Sequence, residues 1–446
     1  MTAVAPPPCV DPPEPGSDNG LRNAYRTELQ KLFAQLTTRL LALVAVIGPF
    51  AFAVLLRIQS GTPADALFGA WVHSSGFAIS LVILGFAGSW GFPIIAGLLA
   101  GDLFASEDRH GTWKTILTRS CTREDVFAGK LLAAGTVVIG VSLLLAASTL
   151  IAGVTLVGAQ SLVNLSGALV SPGRMLALTV VSWLYCVLPM LAYASLAILF
   201  SVVTRNGIMG VLGPLLVALV TQLLDLIGKG VIVHMLLIGS AFDGWHGLFV
   251  SGPFLGPMLV SGVVCVAWIA GALTASWRIL RRRDFLTRSD TGAPNWGAPM
   301  RLVAGATVVI AVLALGGSVG PSGVTGHRVS ATIGPEFDNL TLLQQALIGR
   351  HAPPGAQLDV LPNCNRRAAV GRGPGDWNCN LYLYLPQRGA VPFQQTAVEY
   401  EVSVAYNGCY KAQSPPAFLG GPTMRDARGR TVTNPLFIVY GCFNVL

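Results

Sequence analysis

Charged residues are scarce in this sequence. Of its 446 residues only 11% are charged, whereas 52% are hydrophobic, and the mean hydropathy is +0.61. Soluble globular chains carry roughly 25% charged residues, so the composition excludes a set of ordinary soluble domains and indicates an integral membrane protein. The net charge of +8 does not favour nucleic-acid binding, because the Arg and Lys residues are divided among short segments that flank apolar runs.

Motifs for nucleotide binding and catalysis are also absent. The two Gly-Lys pairs, Gly129-Lys130 and Gly228-Lys229, lack both the earlier glycine and the following Ser or Thr of a GxxxxGK[ST] phosphate loop. The sequence has no HExxH motif and no pair of carboxylates placed for acid and base work. We therefore expect no enzymatic activity and no directly bound cofactor.

The N-terminal residues have neither the basic start nor the apolar core of a signal peptide. Their Pro-rich composition predicts a disordered cytoplasmic tail over 1–23. An amphipathic helix along the membrane interface is predicted over 24–39, since six apolar residues share one helical face: Tyr25, Leu29, Leu32, Phe33, Leu36 and Leu40. The alternative is that these residues are the first soluble turns of the first membrane span.

Seven apolar runs are long enough, or nearly so, to cross a bilayer as helices, which takes roughly 20 residues. They lie at 40–56, 77–100, 131–158, 174–202, 208–227, 254–277 and 301–320. Six spans would form a core over 40–277. A basic linker over 278–300 and a seventh span over 301–320 would follow it.

Basic residues predict the orientation of these spans. They precede the first span and fill every second connection after it: Arg22, Arg26, Lys31 and Arg39, then Arg109 to Lys130, Arg205, and RILRRRDFLTR at 278–288. The positive-inside rule therefore places the N-terminus in the cytoplasm, and seven crossings place residues 321–446 outside. The expected location is the plasma (cell inner) membrane.

Four cysteines cluster in this C-terminal segment: Cys364, Cys379, Cys409 and Cys442. An even set on the oxidising side indicates two disulfides, and of the three possible pairings we favour 364 with 379 and 409 with 442, because each closes a short loop. Free or metal-bound thiols are the alternative. A helix near 339–349 and several alternating β-forming runs predict a small extracytoplasmic α+β domain.

The connection over 101–130 contains ten charged residues and lies between two apolar runs. Residues 102–109 can extend the second span, His110 and Gly111 interrupt it, and Thr112 can begin a short transverse helix that includes Trp113. The spacing from Thr122 to Asp125 predicts a capping box, so that the next helix begins near residue 123 and continues through Lys130. A solvated positive-inside loop is the alternative.

The stretch FASEDRHGTWKTILTRSCTREDVFAGKLLAA closely resembles the signature of type-2 ABC transporter permeases of the drug and polysaccharide export class. The resemblance covers residues 20–285, although the family usually has a proline near Ser120 and lacks the seventh span and the C-terminal domain. It implies a fold with an interfacial elbow helix, six spans and a cytoplasmic segment that couples to an ATPase subunit. The implied coupling residues are Glu107, Gly111, Thr112, Lys114, Arg119, Arg123 and Lys130.

Two further places could take part in function. Asp225 and Gln222 near the outer end of the fifth span are possible transport-path residues, although a carboxylate there can also reach the interface. Asp243 and His246 offer too few ligands for a metal site, so we expect no metal.

The resulting hypothesis is an all-α polytopic membrane domain, a six-span exporter permease core plus a seventh span, followed by the small α+β domain. It would pair with a second permease in the bilayer and use ATP and Mg²⁺ bound by a separate ABC ATPase subunit to export a drug, lipid or glycan-like substrate. The C-terminal domain would modulate export, either by receiving substrate or by contacting an envelope partner. The alternative function is a membrane-anchored sensor whose C-terminal domain recognises an external ligand.

Overall fold

The computed structural model describes residues 19–58, 66–113, 122–227, 234–283, 323–351, 357–368, 371–385 and 394–445. Within these residues six helices are long and apolar enough to cross a membrane, at Leu36–Ile58, Gly76–His110, Arg123–Leu156, Pro172–Thr204, Gly207–Leu224 and Gly256–Arg281. The six predicted core spans are thus confirmed as apolar helices. The predicted seventh span at 301–320 and the linker from residue 284 onward lie outside the described residues.

The N-terminal helices differ in bounds from the prediction. Helix α1 is Asn19–Ala34 and α2, the first span, is Leu36–Ile58, with a bend at Gln35 between them. Residues 19–23, which we expected in the disordered tail, therefore belong to α1, and residues 36–39, expected in the interfacial helix, belong to the span. Residues 1–18 lie outside the described residues.

The second span consists of several pieces. Helix α3 (Gly76–Phe86) passes through a wider π turn at Ala87–Gly91 into α4 (Phe92–Ala100), and α5 (Ala105–His110) follows after a turn. Pro93 has no amide hydrogen to donate to the preceding turn, which is a common cause of such local rewinding. The predicted extension of this span beyond residue 101 is present as α5.

Four long helices and one short helix complete the described membrane part. They are α6 (Arg123–Leu156), α7 (Pro172–Thr204), α8 (Gly207–Ile227), the short α9 (Ile238–Ala241) and α10 (Gly256–Arg281), with the two-residue strands β1 (Leu162–Val163) and β2 (Leu169–Val170) between α6 and α7. Thr122 caps α6: its hydroxyl accepts from the Asp125 amide (3.1 Å), and the Asp125 carboxylate accepts from the Thr122 amide (3.2 Å). The predicted capping box is confirmed.

The helical bundle has two ends. At the first, which we call the basic end, the Arg123 guanidinium donates to the Arg281 carbonyl (3.1 Å), so the start of α6 meets the end of α10. At the other, the tail end, Arg57 donates to the Leu156 carbonyl (3.1 Å), and the Gly76 amide donates to the Gly158 carbonyl (2.9 Å). The connections 59–75, 157–171 and 228–255 all begin and end there.

The C-terminal domain combines one long helix with an antiparallel sheet. Helix α11 (Gly326–Leu347) packs on a five-stranded sheet ordered β3-β4-β5-β6-β9, formed by Asp359–Arg366, Gly375–Leu385, Gln394–Val404, Cys409–Gln413 and Ile438–Cys442. The short α12 (Pro416–Leu419) and the hairpin β7 (Thr423–Arg425) and β8 (Thr431–Thr433) lie between β6 and β9. The α+β prediction is confirmed for this region, with a helix that begins earlier than expected.

Both predicted disulfides are present. Cys364 and Cys379 are directly opposite each other in β3 and β4, as are Cys409 and Cys442 in β6 and β9. Opposite residues of an antiparallel pair have neighbouring Cβ atoms, which allows the bond. This domain lies against the tail end of the bundle, where the Thr433 hydroxyl donates to the Ala70 carbonyl (2.7 Å).

Candidate functional site

Lys130 is the centre of a buried ion-pair cluster at the basic end. Its side chain is 1% exposed, and its ammonium donates to Glu28 (2.9 Å), to Glu107 (3.0 Å) and to the Leu103 carbonyl (3.2 Å). An ammonium has three hydrogens, so these acceptors use all of them. The cluster joins three elements, because Glu28 lies on α1, Glu107 on α5 and Lys130 in the second turn of α6.

Lys31 completes the cluster at its solvent-exposed edge. Its ammonium lies 2.9 Å from Glu28 and 3.0 Å from Glu107, and its side chain is 44% exposed. Burial alone would lower the pKa of Lys31, but hydrogen bonds and charge attraction from the two carboxylates outweigh it and raise that pKa. Two ammonium groups and two carboxylates therefore alternate, and the buried charges are balanced.

The turn after α5 is bonded back to the same cluster. Gly111 has φ of 67°, a conformation that suits glycine, and lets the chain reverse. The Thr112 amide then donates to the Glu107 carbonyl (3.1 Å), and the Thr112 hydroxyl donates to the Glu107 carboxylate. The predicted interruption at Gly111 is thus a tight turn, and the side chain of the next residue, Thr112, contacts the ion-pair cluster.

A second ion pair connects α5 to the end of the last described span. Asp108 accepts from the Trp113 indole (2.9 Å) and from Arg283 (2.9 Å), and Arg283 also donates to the Val202 carbonyl near the end of α7. Asp108 therefore links the connection over 101–130 to both α7 and α10. Burial lowers the pKa of Arg283, and its pairing with Asp108 partly offsets this effect.

Aromatic rings pack beside these ion pairs. Phe104 stacks on Trp113 (6.2 Å between ring centroids) and contacts Phe127 (5.6 Å), which in turn contacts Trp277 of α10 (5.2 Å). The Lys130 ammonium lies 5.7 Å from the centroid of the Phe104 ring. A cation at this distance from a ring face is attracted to it, so the apolar and charged parts of the site support each other.

Close backbone contacts hold the surrounding helices. A Cβ added to Gly129 would lie 2.7 Å from the Cβ of Ala24, and one added to Gly210 would lie 1.9 Å from the Gly101 carbonyl oxygen. Both values are too short for a real contact, so α1 packs directly on α6, and α4 packs directly on α8, only because glycine is present. The basic end is therefore a closely packed unit.

The structure divides the predicted coupling residues into two groups. Glu107 and Lys130 are buried and paired inside the protein, and Thr112 is half-buried against Glu107, whereas Gly111 and Arg123 are exposed. Lys114 and Arg119 lie outside the described residues. Arg109, which was not among the predicted coupling residues, is 58% exposed and pairs with Asp102 (2.8 Å).

Four charged residues of these ion pairs were not predicted as site residues: Glu28, Lys31, Asp108 and Arg283. Glu28 is the only acidic residue between positions 19 and 39, a segment that carries four basic ones. A lone acidic residue in such a helix indicates a specific cationic partner, so the sequence held a usable signal. The sequence contains no such signal for Arg283, because it is one of three consecutive arginines.

The other candidate residues are not part of this site. Gln222 is half-buried in α8, and the side chain of Asp225 lies outside the described residues. At the tail end, His246 lies 3.8 Å from Asp243, and burial lowers the pKa of His246 to about 3. Among the described residues no three His, Cys, Asp or Glu side chains come together as metal ligands.

One comparison with known proteins bears directly on this site. Residues 24–222 match the model of the ABC-2 family transporter protein. The matched region begins in α1 and ends in α8, so it contains the whole connection over 101–130 and every residue of the Lys130 cluster. Together with the six apolar helices, the match supports an ABC-2 type permease, which is a membrane transport component. No curated protein matches the chain.

Proposed function

We propose that this chain is the transmembrane permease subunit of an ATP-binding-cassette exporter. It pairs with a second permease, either itself or a paralogue, and a separate ATPase subunit supplies the energy from ATP and Mg²⁺. The observation that carries the proposal is the ABC-2 match over 24–222, which ends in the fifth span and includes the connection over 101–130. The substrate is a drug, lipid or glycan-like molecule that moves outward.

The exposed part of that connection is the docking surface for the ATPase in this proposal. Arg109, His110 and Gly111 form an exposed tip at the end of α5, and residues 114–121 follow it. Glu107, Thr112 and Lys130 serve behind this tip. Thr112 donates to Glu107, and Glu107 accepts from Lys31 of α1 and from Lys130 of α6. A displacement of the tip therefore passes through Glu107 to α1 and α6, since a rigid, fully bonded cluster moves as one body.

The proposed topology follows from the two ends of the bundle. Arg283 lies at the basic end, whereas the domain that begins at residue 323 contacts the tail end. This arrangement supports an odd number of crossings between the two positions, and we assign the apolar run at 301–320 as the seventh span. With the basic end in the cytoplasm, the C-terminal domain is extracytoplasmic and its disulfides lie on the oxidising side.

A membrane-anchored sensor is not favoured as an alternative. A sensor needs its membrane part only as an anchor, but here the family match lies in the membrane part itself. Several bonded side chains also connect the helix ends at the basic end, which an anchor does not require.

The experiment is a binding and turnover assay with an ABC ATPase partner, which is first sought among the genes beside this one. Arg109→Glu and Arg119→Glu should each weaken co-purification of the ATPase and slow its permease-dependent ATP turnover by about tenfold, because a reversed charge at a docking surface costs roughly 1.4 kcal/mol or more. Arg174→Glu is the matched control, since Arg174 is an exposed arginine in the first turn of α7, at the opposite end of the bundle. Equal binding and turnover in all three variants would contradict the docking role.

A further inference from the structure

The C-terminal domain contacts all three connections at the tail end of the bundle. Thr433 donates to the Ala70 carbonyl of the first connection (2.7 Å), and Asn339 donates to the Ser166 carbonyl of the second (2.8 Å). Tyr406 reaches the third, where its hydroxyl donates to Asp243 (3.2 Å). A domain that only hung from its own linker would not bridge these separate loops.

Apolar packing accompanies these hydrogen bonds. Val163 of β1 and Met235 of the third connection belong to the buried core of the C-terminal domain, and Cys442 belongs to the core of the membrane domain. A cavity of about 20 Å³ at this seam is lined by Leu165 of the membrane part and by Ile438 and Tyr440 of the C-terminal domain. That volume holds about one water molecule.

Gly167 of the second connection lies very close to helix α11 of the C-terminal domain. Gly167 has φ of 75°, and a Cβ at this position would lie 2.9 Å from the Glu336 carbonyl oxygen and 3.0 Å from the Cβ of Asn339. Any larger residue would push α11 away from the loop. The close approach of α11 therefore depends on glycine.

One side chain of the C-terminal domain makes several contacts with the third connection. Tyr406 stacks on His234, with ring centroids 4.8 Å apart and planes at 11°, while its hydroxyl also lies within 3.5 Å of the Ser240 carbonyl. His234 and Ser240 are both buried. One aromatic residue thus contacts both ends of the segment 234–243, which follows the fifth span and precedes the sixth.

The turn that carries Tyr406 is firmly anchored to its own domain. Residues 405–408 join β5 to β6, with the Gly408 amide bonded to the Ala405 carbonyl (3.1 Å), and the next residue, Cys409, is cross-linked to Cys442 of β9. A force on Tyr406 is therefore transmitted to the sheet and does not merely bend a loose loop.

From this geometry we infer that the C-terminal domain is a clamp on the tail end, with Tyr406 as its latch on the segment 234–243. While the three contacts hold, the ends of the span pairs α2 and α3, α6 and α7, and α8 and α10 cannot separate. Release of the Tyr406 latch is then a step in each transport cycle. This regulatory role rests on the proposed function, but the latch itself is a structural property that can be tested separately.

The first test is hydrogen exchange on the full-length chain in lipid nanodiscs. Tyr406→Ala should speed amide exchange in peptides covering 234–249 by about tenfold or more. Tyr406→Phe, which keeps the ring but loses the hydroxyl, should have an intermediate effect. Thr433→Val is the control and should leave these peptides unchanged. Wild-type exchange in Tyr406→Ala would overturn the latch.

The second test locks the clamp in the chain assembled with its ATPase. A short bismaleimide that joins Ala70→Cys to Thr433→Cys should lower ATP turnover at least tenfold relative to either single cysteine variant treated in the same way. Unchanged turnover in the cross-linked protein would overturn the regulatory role. If the untreated chain has no effect on ATP turnover, the proposed function fails instead, while the exchange experiment still decides whether Tyr406 is a latch.

Discussion

Replacing Lys130 with methionine is the sharpest test of the charged cluster at the basic end. The substitution keeps the unbranched shape of the side chain but removes the ammonium that neutralises Glu28 and Glu107, whose side chains are 9% and 8% exposed. Breaking a buried ion pair by removing one partner typically costs about 3–5 kcal/mol, because the remaining charge stays buried without compensation. We expect a cost of about 3 kcal/mol, the low end of that range, since Lys31 still contacts both carboxylates.

The effect should be local and measurable by hydrogen exchange. If the cluster holds α1 against α5 and α6, amides in α1 should exchange about a hundredfold faster in Lys130→Met than in the wild type. This factor follows from the cost of about 3 kcal/mol, at about 1.4 kcal/mol for each factor of ten. Arg109→Gln is the control: it removes the Arg109–Asp102 pair at 2.8 Å, but this arginine is 58% exposed. Exposed pairs contribute only about 0–1 kcal/mol, so exchange should change less than about fivefold.

A combined variant separates lost charge balance from lost packing. Adding Glu28→Gln and Glu107→Gln to Lys130→Met removes the uncompensated carboxylates while keeping side-chain size. Much of the protection of α1 should return, because a neutral replacement for a whole buried ion cluster is often tolerated. If Lys130→Met and Arg109→Gln have the same effect within a factor of two, the reasoning about buried charge is refuted.

Two further predictions concern the C-terminal domain. Burial raises the pKa of Glu336 well above 4.5, although the Tyr410 hydroxyl that donates to its carboxylate partly opposes the shift. The folded protein therefore favours the neutral form of Glu336. The stability that this form contributes is complete below the unfolded pKa near 4.5. It should be lost as the pH rises toward the folded pKa, by up to about 1.4 kcal/mol per pH unit. Exchange of β4 amides, corrected for the intrinsic effect of pH, should show this loss in the wild type and not in Glu336→Gln; an identical pH profile in both would contradict the assignment. Reporters fused at residue 1 and after residue 446 should be active only inside and only outside the cell, respectively, and activity on the same side would mean that the number of crossings is even.

The sequence was sufficient to predict the structural features that depend on local interactions. Six spans follow from long apolar runs, and the helix start at Arg123 follows from the Thr122 and Asp125 capping pair. The cysteine pairs follow from loop length, and the structure adds that each pair is directly opposite in a sheet. Strand β6 leaves little signal in the sequence, because Cys409–Gln413 is short and mixed in polarity, and its burial comes from its neighbours in the sheet.

The roles of the charged residues were less accessible to sequence reasoning. A charged residue in a loop that follows a span is expected to face water, and with the family resemblance this led to the prediction that Glu107 contacts the ATPase. In the structure it is 6% exposed, because Lys130 and Lys31 come from two other helices to neutralise it. A pairing between residues 76 or 102 positions apart, as for Lys31 with Glu107 and Glu28 with Lys130, leaves no periodic trace in a sequence.

By itself the sequence determined the membrane class, the approximate positions of six spans, the capped start of the third span and the favoured cysteine pairing, because each depends on hydropathy or on neighbours within a short stretch. Only the tertiary structure decided which charges are buried and which exposed, and that the C-terminal domain rests on all three connections at the tail end. The physical reason is that burial and ion pairing depend on which helices become neighbours. The contact of Tyr406 with His234, 4.8 Å apart in space but far apart in the chain, exists only once both domains have packed together.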